Sequence, residues 1–175
     1  MRSITLGVAL GVAALTLAAG ASGPAAAEPA AGGKALTWTF LADGPGGTVQ
    51  VGGGPLADPY QGDTSTSTAL PVLCLKVDGS PVPAGLTPDF YAGWSRGHVA
   101  VSNPVRGNRL TSLAVANGVC ENTFGKGWRF AEFHDGRYGP NLADTGGWSF
   151  WAHGDVPVGT RFWTHINDQP ANPWN

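Results

Sequence analysis

Charge is scarce in this sequence. Asp, Glu, Lys and Arg make up 13% of its 175 residues, about half the usual share of a globular domain. Ten basic residues face twelve acidic ones, and nowhere do Lys and Arg form the basic stripe that phosphate neutralisation requires. Nucleic acid is thereby excluded as a partner, and so are long helices laced by ion pairs. Cysteine is nearly absent, with only Cys74 and Cys120 present. Beyond the N-terminus no segment is apolar enough to span a membrane, and there is no internal repeat or heptad pattern.

The N-terminus carries a positive head, Met1-Arg2-Ser3, then an uncharged run from Ile4 to about Ala19, then Ala25-Ala26-Ala27. These are the three parts of a secretory signal. The apolar run is diluted by Gly7, Gly11 and Thr16 and falls short of the roughly 20 residues of a membrane span. The expectation is a cleaved signal peptide at 1–27, a flexible leader at 28–34 and one globular domain at 35–175. No cysteine near the cleavage site invites a lipid anchor, so the mature protein is expected to be secreted, soluble and extracellular. In an oxidising compartment Cys74 and Cys120 most simply form one disulfide, with metal ligation and two free thiols as the competing readings. Closing such a loop contributes about 4 kcal/mol in the chain-entropy account.

Gly (27) and Pro (14) are abundant, and seven Trp are present. The chain therefore folds through turns and aromatic packing. Leu36, Trp38 and Phe40 alternate with polar or small neighbours, which predicts a half-buried strand. After the break at Asp43–Gly47, Thr48–Val51 predicts its hairpin partner. Residues 52–68 read as a long surface loop, and Ala69–Val77 as a buried strand through Cys74. Two short strands are expected at Asp89–Trp94 and His98–Ser102, joined by a turn at Gly93–Gly97. Leu110, Leu113, Ala114, Asn117 and Cys120 form a helical stripe, capped by Thr111 or Ser112 and closed by Gly125. That predicts one main helix over about 110–124, tied to the first cysteine's strand. Alternation then predicts three late strands at 128–133, 148–153 and 160–167. The expected class is α+β, strand-rich with one main helix and one disulfide.

Few residues announce chemistry. Gly93-Trp94-Ser95-Arg96-Gly97 matches the nucleophile-elbow pattern, which works only on a strand–turn–helix above a parallel sheet. Here a strand pattern follows, so a Gly-rich hairpin turn is the better account. Glu132, His134 and Asp135 lie together, His153 precedes Asp155, and His165 precedes Asn167 and Asp168. Imidazole beside carboxylate exchanges protons or binds metals near neutral pH, and these groups converge if the late strands are neighbours. The competing reading is ordinary hydrogen bonding in turns. None of the spacings is a metal-ligand signature, so neither a metal nor a cofactor is expected. Trp148, Trp151, Trp163 and Trp174 crowd the C-terminal end. A Trp left facing solvent is a flat plate for stacking on sugars or peptides.

The segments Leu110–Ala114, Cys120, Phe124–Gly136, Gly147–Ala152, Thr160–Trp163 and Ile166–Asn172 resemble a family of small secreted bacterial proteins, some labelled flagellar hook-length control protein. The resemblance covers roughly residues 98–175 and implies secretion. A hook-length ruler needs a long extensible portion, whereas this chain reads as a Trp-rich compact body. The helix with its cysteine, followed by a Gly-Trp-Arg strand, is also similar to C-type-lectin-like domains. The Glu-Pro-Asn calcium motif and the second disulfide of those domains are missing here, so no calcium residues carry over.

The leading expectation is a non-catalytic extracellular binding domain for a glycan, peptide or cell-surface component. Trp151, Trp163, His153 and His165 are its candidate ligand residues, because alternation puts each Trp/His pair on one face. The alternatives are a small secreted hydrolase using Glu132, His134 and Asp135, a structural envelope or matrix protein, and the flagellar role of the family label.

Overall fold

The computed structural model describes residues 33–175. The expected signal peptide at 1–27 and most of the leader lie outside the described residues. One nine-stranded sheet carries the fold. Its strands are β1 (Thr37–Gly44), β2 (Thr48–Gly52), β3 (Leu73–Val77), β4 (Gly93–Val101), β5 (Arg129–Phe130), β6 (Arg137–Tyr138), β7 (Asp144–Thr145), β8 (Ser149–Gly154) and β9 (Arg161–Trp163). The order is β7-β6-β4-β8-β2-β1-β9, with β3 pairing β4 and β5. All pairings in it are antiparallel except β4 with β8. Lys34–Ala35 pairs with Thr64–Ser65, and Ala69–Leu70 with Val105–Arg106, as small separate ladders.

The single α-helix among the described residues, α1 (Leu113–Phe124), begins where Ser112 accepts a 3.2 Å bond from Val115 N. It ends at Gly125, whose φ of 97° is open to a residue without Cβ. Its inward face is Ala116 and Cys120, while Leu113 and Ala114 of the expected stripe are exposed. The Cys74–Cys120 disulfide, with Cα atoms 5.5 Å apart, fixes which side of the helix faces in. Asn117, one turn before Cys120, then reaches Phe130 N through its Oδ1 at 2.9 Å. Strand-rich α+β with one helix and this disulfide is thus the observed class.

Two apolar clusters form the core. One gathers Trp38, Phe133, Phe150, Phe162 and aliphatics of β2–β4. The other gathers Val72, Phe130 and Trp163 around the disulfide under α1.

Three expectations are corrected. The Gly93–Gly97 stretch is not a turn but the first half of β4. A Cβ on Gly93 would sit 2.4 Å from the Gly136 backbone, and one on Gly97 1.9 Å from the Lys76 carbonyl oxygen. Both glycines therefore let neighbouring chains approach. Arg96, at φ 63°, lies where the β4–β8 register shifts, a bulge that imitates a turn in sequence. The first and third late strands, β5 and β9, are also shorter than predicted, and their segments meet each other only at a Glu132–His165 bridge, while β8 keeps its six residues and pairs with neither. β5 pairs with β3, β8 with β2 and β4, and β9 with β1. Finally, Trp148 leaves the alternation with Phe150, because its φ of 74° takes it out of the extended conformation.

Candidate functional site

Four connecting segments meet at one end of the sheet and build an aromatic cleft. The loop before the Thr64 ladder supplies Tyr60. Asp58 accepts bonds from Tyr60 N and Gln61 N, both 2.9 Å, in an Asx turn. Asp63 anchors the same loop. Its carboxylate receives Asp58 N at 3.2 Å, Thr37 N at 3.1 Å and the Arg161 guanidinium at 3.0 Å. The second segment repeats the device. Asp89 accepts Tyr91 N and Ala92 N at 2.8 and 2.9 Å, which sets Phe90 at the rim. In the third segment, Gly147 N binds Phe90 O at 2.9 Å and the Trp148 carbonyl accepts Gly53 N at 3.0 Å. The fourth, 166–169, is held by Asn172, which bonds Ile166 N and O, both at 2.9 Å, and Gln169 O at 3.1 Å.

The cleft between them encloses about 150 Å³, and Phe133 and Ile166 line it together with His134, Asp168 and Gln169. Tyr60 is 59% exposed, Phe90 45% and Trp148 36%. Trp148 packs edge-on against Phe133 with centroids 5.3 Å apart. A left-handed conformation in so bulky a residue costs about 1–3 kcal/mol. The fixed carbonyl of Trp148 and the ring contact with Phe133 hold it there.

A second, polar cleft of about 380 Å³ adjoins the first, and His134 lines both. Here Glu132 accepts His134 N at 2.6 Å, His134 Nδ1 at 3.0 Å and Asn167 N at 3.1 Å. Asp135 takes a two-pronged contact from Arg129 and receives Glu132 N at 2.7 Å. Burial opposes the Arg129 charge, but the hydrogen bond and charge of Asp135 more than offset it and raise its pKa. His165 is 3% exposed, stacks on Phe130 at 4.9 Å and places Nδ1 2.9 Å from the Ala131 carbonyl. A carbonyl only accepts, so Nδ1 carries the proton. Burial lowers the pKa of His165, which keeps the ring neutral with a lone pair on Nε2.

The sequence-proposed ligand residues fall in three places. Trp163 is wholly buried, with Nε1 donating to Val105 O at 2.9 Å, so it offers no plate to solvent. His165 forms part of the polar cleft wall. Trp151 and His153 lie on β8, away from both clefts. Trp151 is half-buried over Gly44, and His153 lies 5.3 Å from His98 and 5.2 Å from Trp94. Glu132, His134 and Asp135 do meet, at the polar cleft. Ser95 is 2% exposed and is no surface nucleophile. Tyr60, Phe90, Trp148 and Gln169 were missed as site residues. Aromatics inside Gly/Pro-rich loops, where no core requires them, were the available signal. Among the described residues no group of three or more His, Cys, Asp or Glu side chains is placed to hold a metal, and no helix is long and apolar enough to cross a membrane.

Set against protein-family models, curated proteins and solved structures, the chain matches none.

Proposed function

We propose that this protein is a secreted, non-catalytic domain that binds a glycan through the aromatic cleft. The carrying observation is Trp148, a solvent-facing indole held in a costly left-handed backbone conformation against Phe133, in a cleft that the exposed Tyr60 and Phe90 also line. Strain of this kind persists where the surroundings over-determine it and gathers at binding sites. Flat rings beside His134, Asp168 and Gln169 match the apolar faces and hydroxyl edges of a sugar. Loops locked by Asx turns lose little freedom on binding. The secretory pattern of residues 1–27 and the disulfide support an extracellular setting. The C-type-lectin-like analogy belongs to the same proposal, supported by a disulfide-tied helix beside a sheet whose end loops carry the cleft.

The test is a glycan and peptide panel probed with the folded protein. Trp148→Ala and Tyr60→Ala each weaken the glycan response about tenfold, equivalent to about 1.4 kcal/mol, while Trp151→Ala leaves it unchanged. A response confined to peptides, or one indifferent to Trp148 and Tyr60, overturns the reading.

One observation favours a second reading, a hydrolase. The Glu132–His134 contact of 3.0 Å orients a histidine whose Nε2 has no hydrogen-bond partner among the described residues. Product release from bound glycans that His134→Ala abolishes, with binding retained, would establish it over the first.

A further inference from the structure

The aromatic cleft alone, at about 150 Å³, is smaller than the roughly 300–1,000 Å³ of ordinary ligand sites. The polar cleft beside it holds about 380 Å³ and falls within that range. The two clefts share two segments. Glu132 and His165 form a parallel bridge, and Phe133 N bonds His165 O at 2.8 Å. From this paired stretch Phe133 and Ile166 line the aromatic cleft, Glu132 and His165 line the polar one, and His134 lines both.

The polar cleft carries both hydrogen-bonding senses. His165 Nε2, on a ring 3% exposed, has no hydrogen-bond partner among the described residues and is an acceptor. Asn117 uses its Oδ1 on Phe130 N, which leaves its amide N–H groups to donate. Arg137 binds Thr145 through one guanidinium nitrogen and has further donors free. Closely set donors and acceptors suit hydroxyl groups, each of which gives and takes a hydrogen bond. The charges lining this cleft are Arg129 and Arg137 against Glu132 and Asp135, so no net charge selects an ionic ligand.

From this juxtaposition we infer that the two clefts are adjoining subsites for one neutral oligosaccharide. One sugar ring stacks on Trp148 and Tyr60, and the next is hydrogen-bonded chiefly by the Arg137 and Asn167 side chains, over a floor of Asn117 and His165. The inference rests on the glycan reading of the aromatic cleft and adds a length requirement and a charge class to it.

The experiment titrates the folded protein with glucose-, mannose- and N-acetylglucosamine-based series of one to four units, and with uronic-acid series of equal length. For the responding series, affinity rises at least tenfold from one unit to two or three and then levels, and the neutral series outbinds the acidic one. The double variant Arg137→Ala/Asn167→Ala changes only cleft-lining side chains whose loss leaves backbone bonds intact. It removes the length gain and leaves monosaccharide affinity unchanged. A folded double variant that keeps the length gain overturns the inference, as does equal affinity for one unit and three, or preference for the acidic series. In those cases, sensitivity to Trp148→Ala leaves the glycan reading standing. If no saccharide binds at all, that reading fails and this one with it.

Discussion

Breaking the Cys74–Cys120 link is the perturbation whose size follows most directly from the structure. The two residues are 46 apart in sequence, and in the chain-entropy account closing a loop of that length contributes about 4 kcal/mol. Both sulfurs are fully buried in the cluster beneath α1, so a Cys74→Ala/Cys120→Ala variant also opens small cavities costing on the order of 1 kcal/mol each. A domain holds about 5–15 kcal/mol in total, which leaves the variant near the margin. The loss concentrates in α1. Its 12 residues are at the length where an isolated helix is marginal, and Gly118 costs about a further 1 kcal/mol relative to Ala. Urea unfolding of oxidised and reduced protein, read by tryptophan fluorescence, isolates the cross-link from the cavities. Reduction should lower stability by about 4 kcal/mol and raise the denaturant slope, because the released chain exposes more surface. A drop below about 1 kcal/mol with an unchanged slope would refute the assignment of the disulfide as the constraint that docks the helix.

Two fully buried tryptophans make a matched comparison. Trp163 Nε1 donates to Val105 O, while Trp38 Nε1 is buried with no partner among the described residues. Replacement by Phe removes a satisfied bond in one case and an orphan donor in the other, so Trp163→Phe should cost about 2 kcal/mol more than Trp38→Phe. Equal costs in thermal or urea unfolding would contradict this. His165 sets an acid limit. Burial depresses its folded pKa below the ordinary imidazole value of about 6.5, so its contribution is complete above that value and is lost as pH falls through the folded one. Stability measured from about pH 7.5 to about pH 5 should therefore decline, and less steeply in His165→Gln; identical slopes would remove His165 as the cause.

Elements whose period is local were legible. The hairpin of β1 and β2, the buried strand through Cys74 and the helix capped by Ser112 follow from alternation, apolar continuity and capping chemistry at neighbouring positions. The Glu132–His134 contact was legible too, since its members stand two positions apart in sequence. The bulge at Arg96 was not, because it is defined by the register of β8 against β4, a relation between segments far apart in the chain.

By itself, then, the sequence determined a low-charge, turn-rich and strand-rich chain with one helix and one possible cross-link, because composition and short periods govern those choices. Only the tertiary structure decided which aromatics face water. Trp163 and Trp148 are alike as residues, yet one is enclosed beneath α1 and the other stands at a cleft mouth. That difference arises because Tyr60, Phe90, Trp148 and Gln169 come from four loops that meet only once the strands between them have paired.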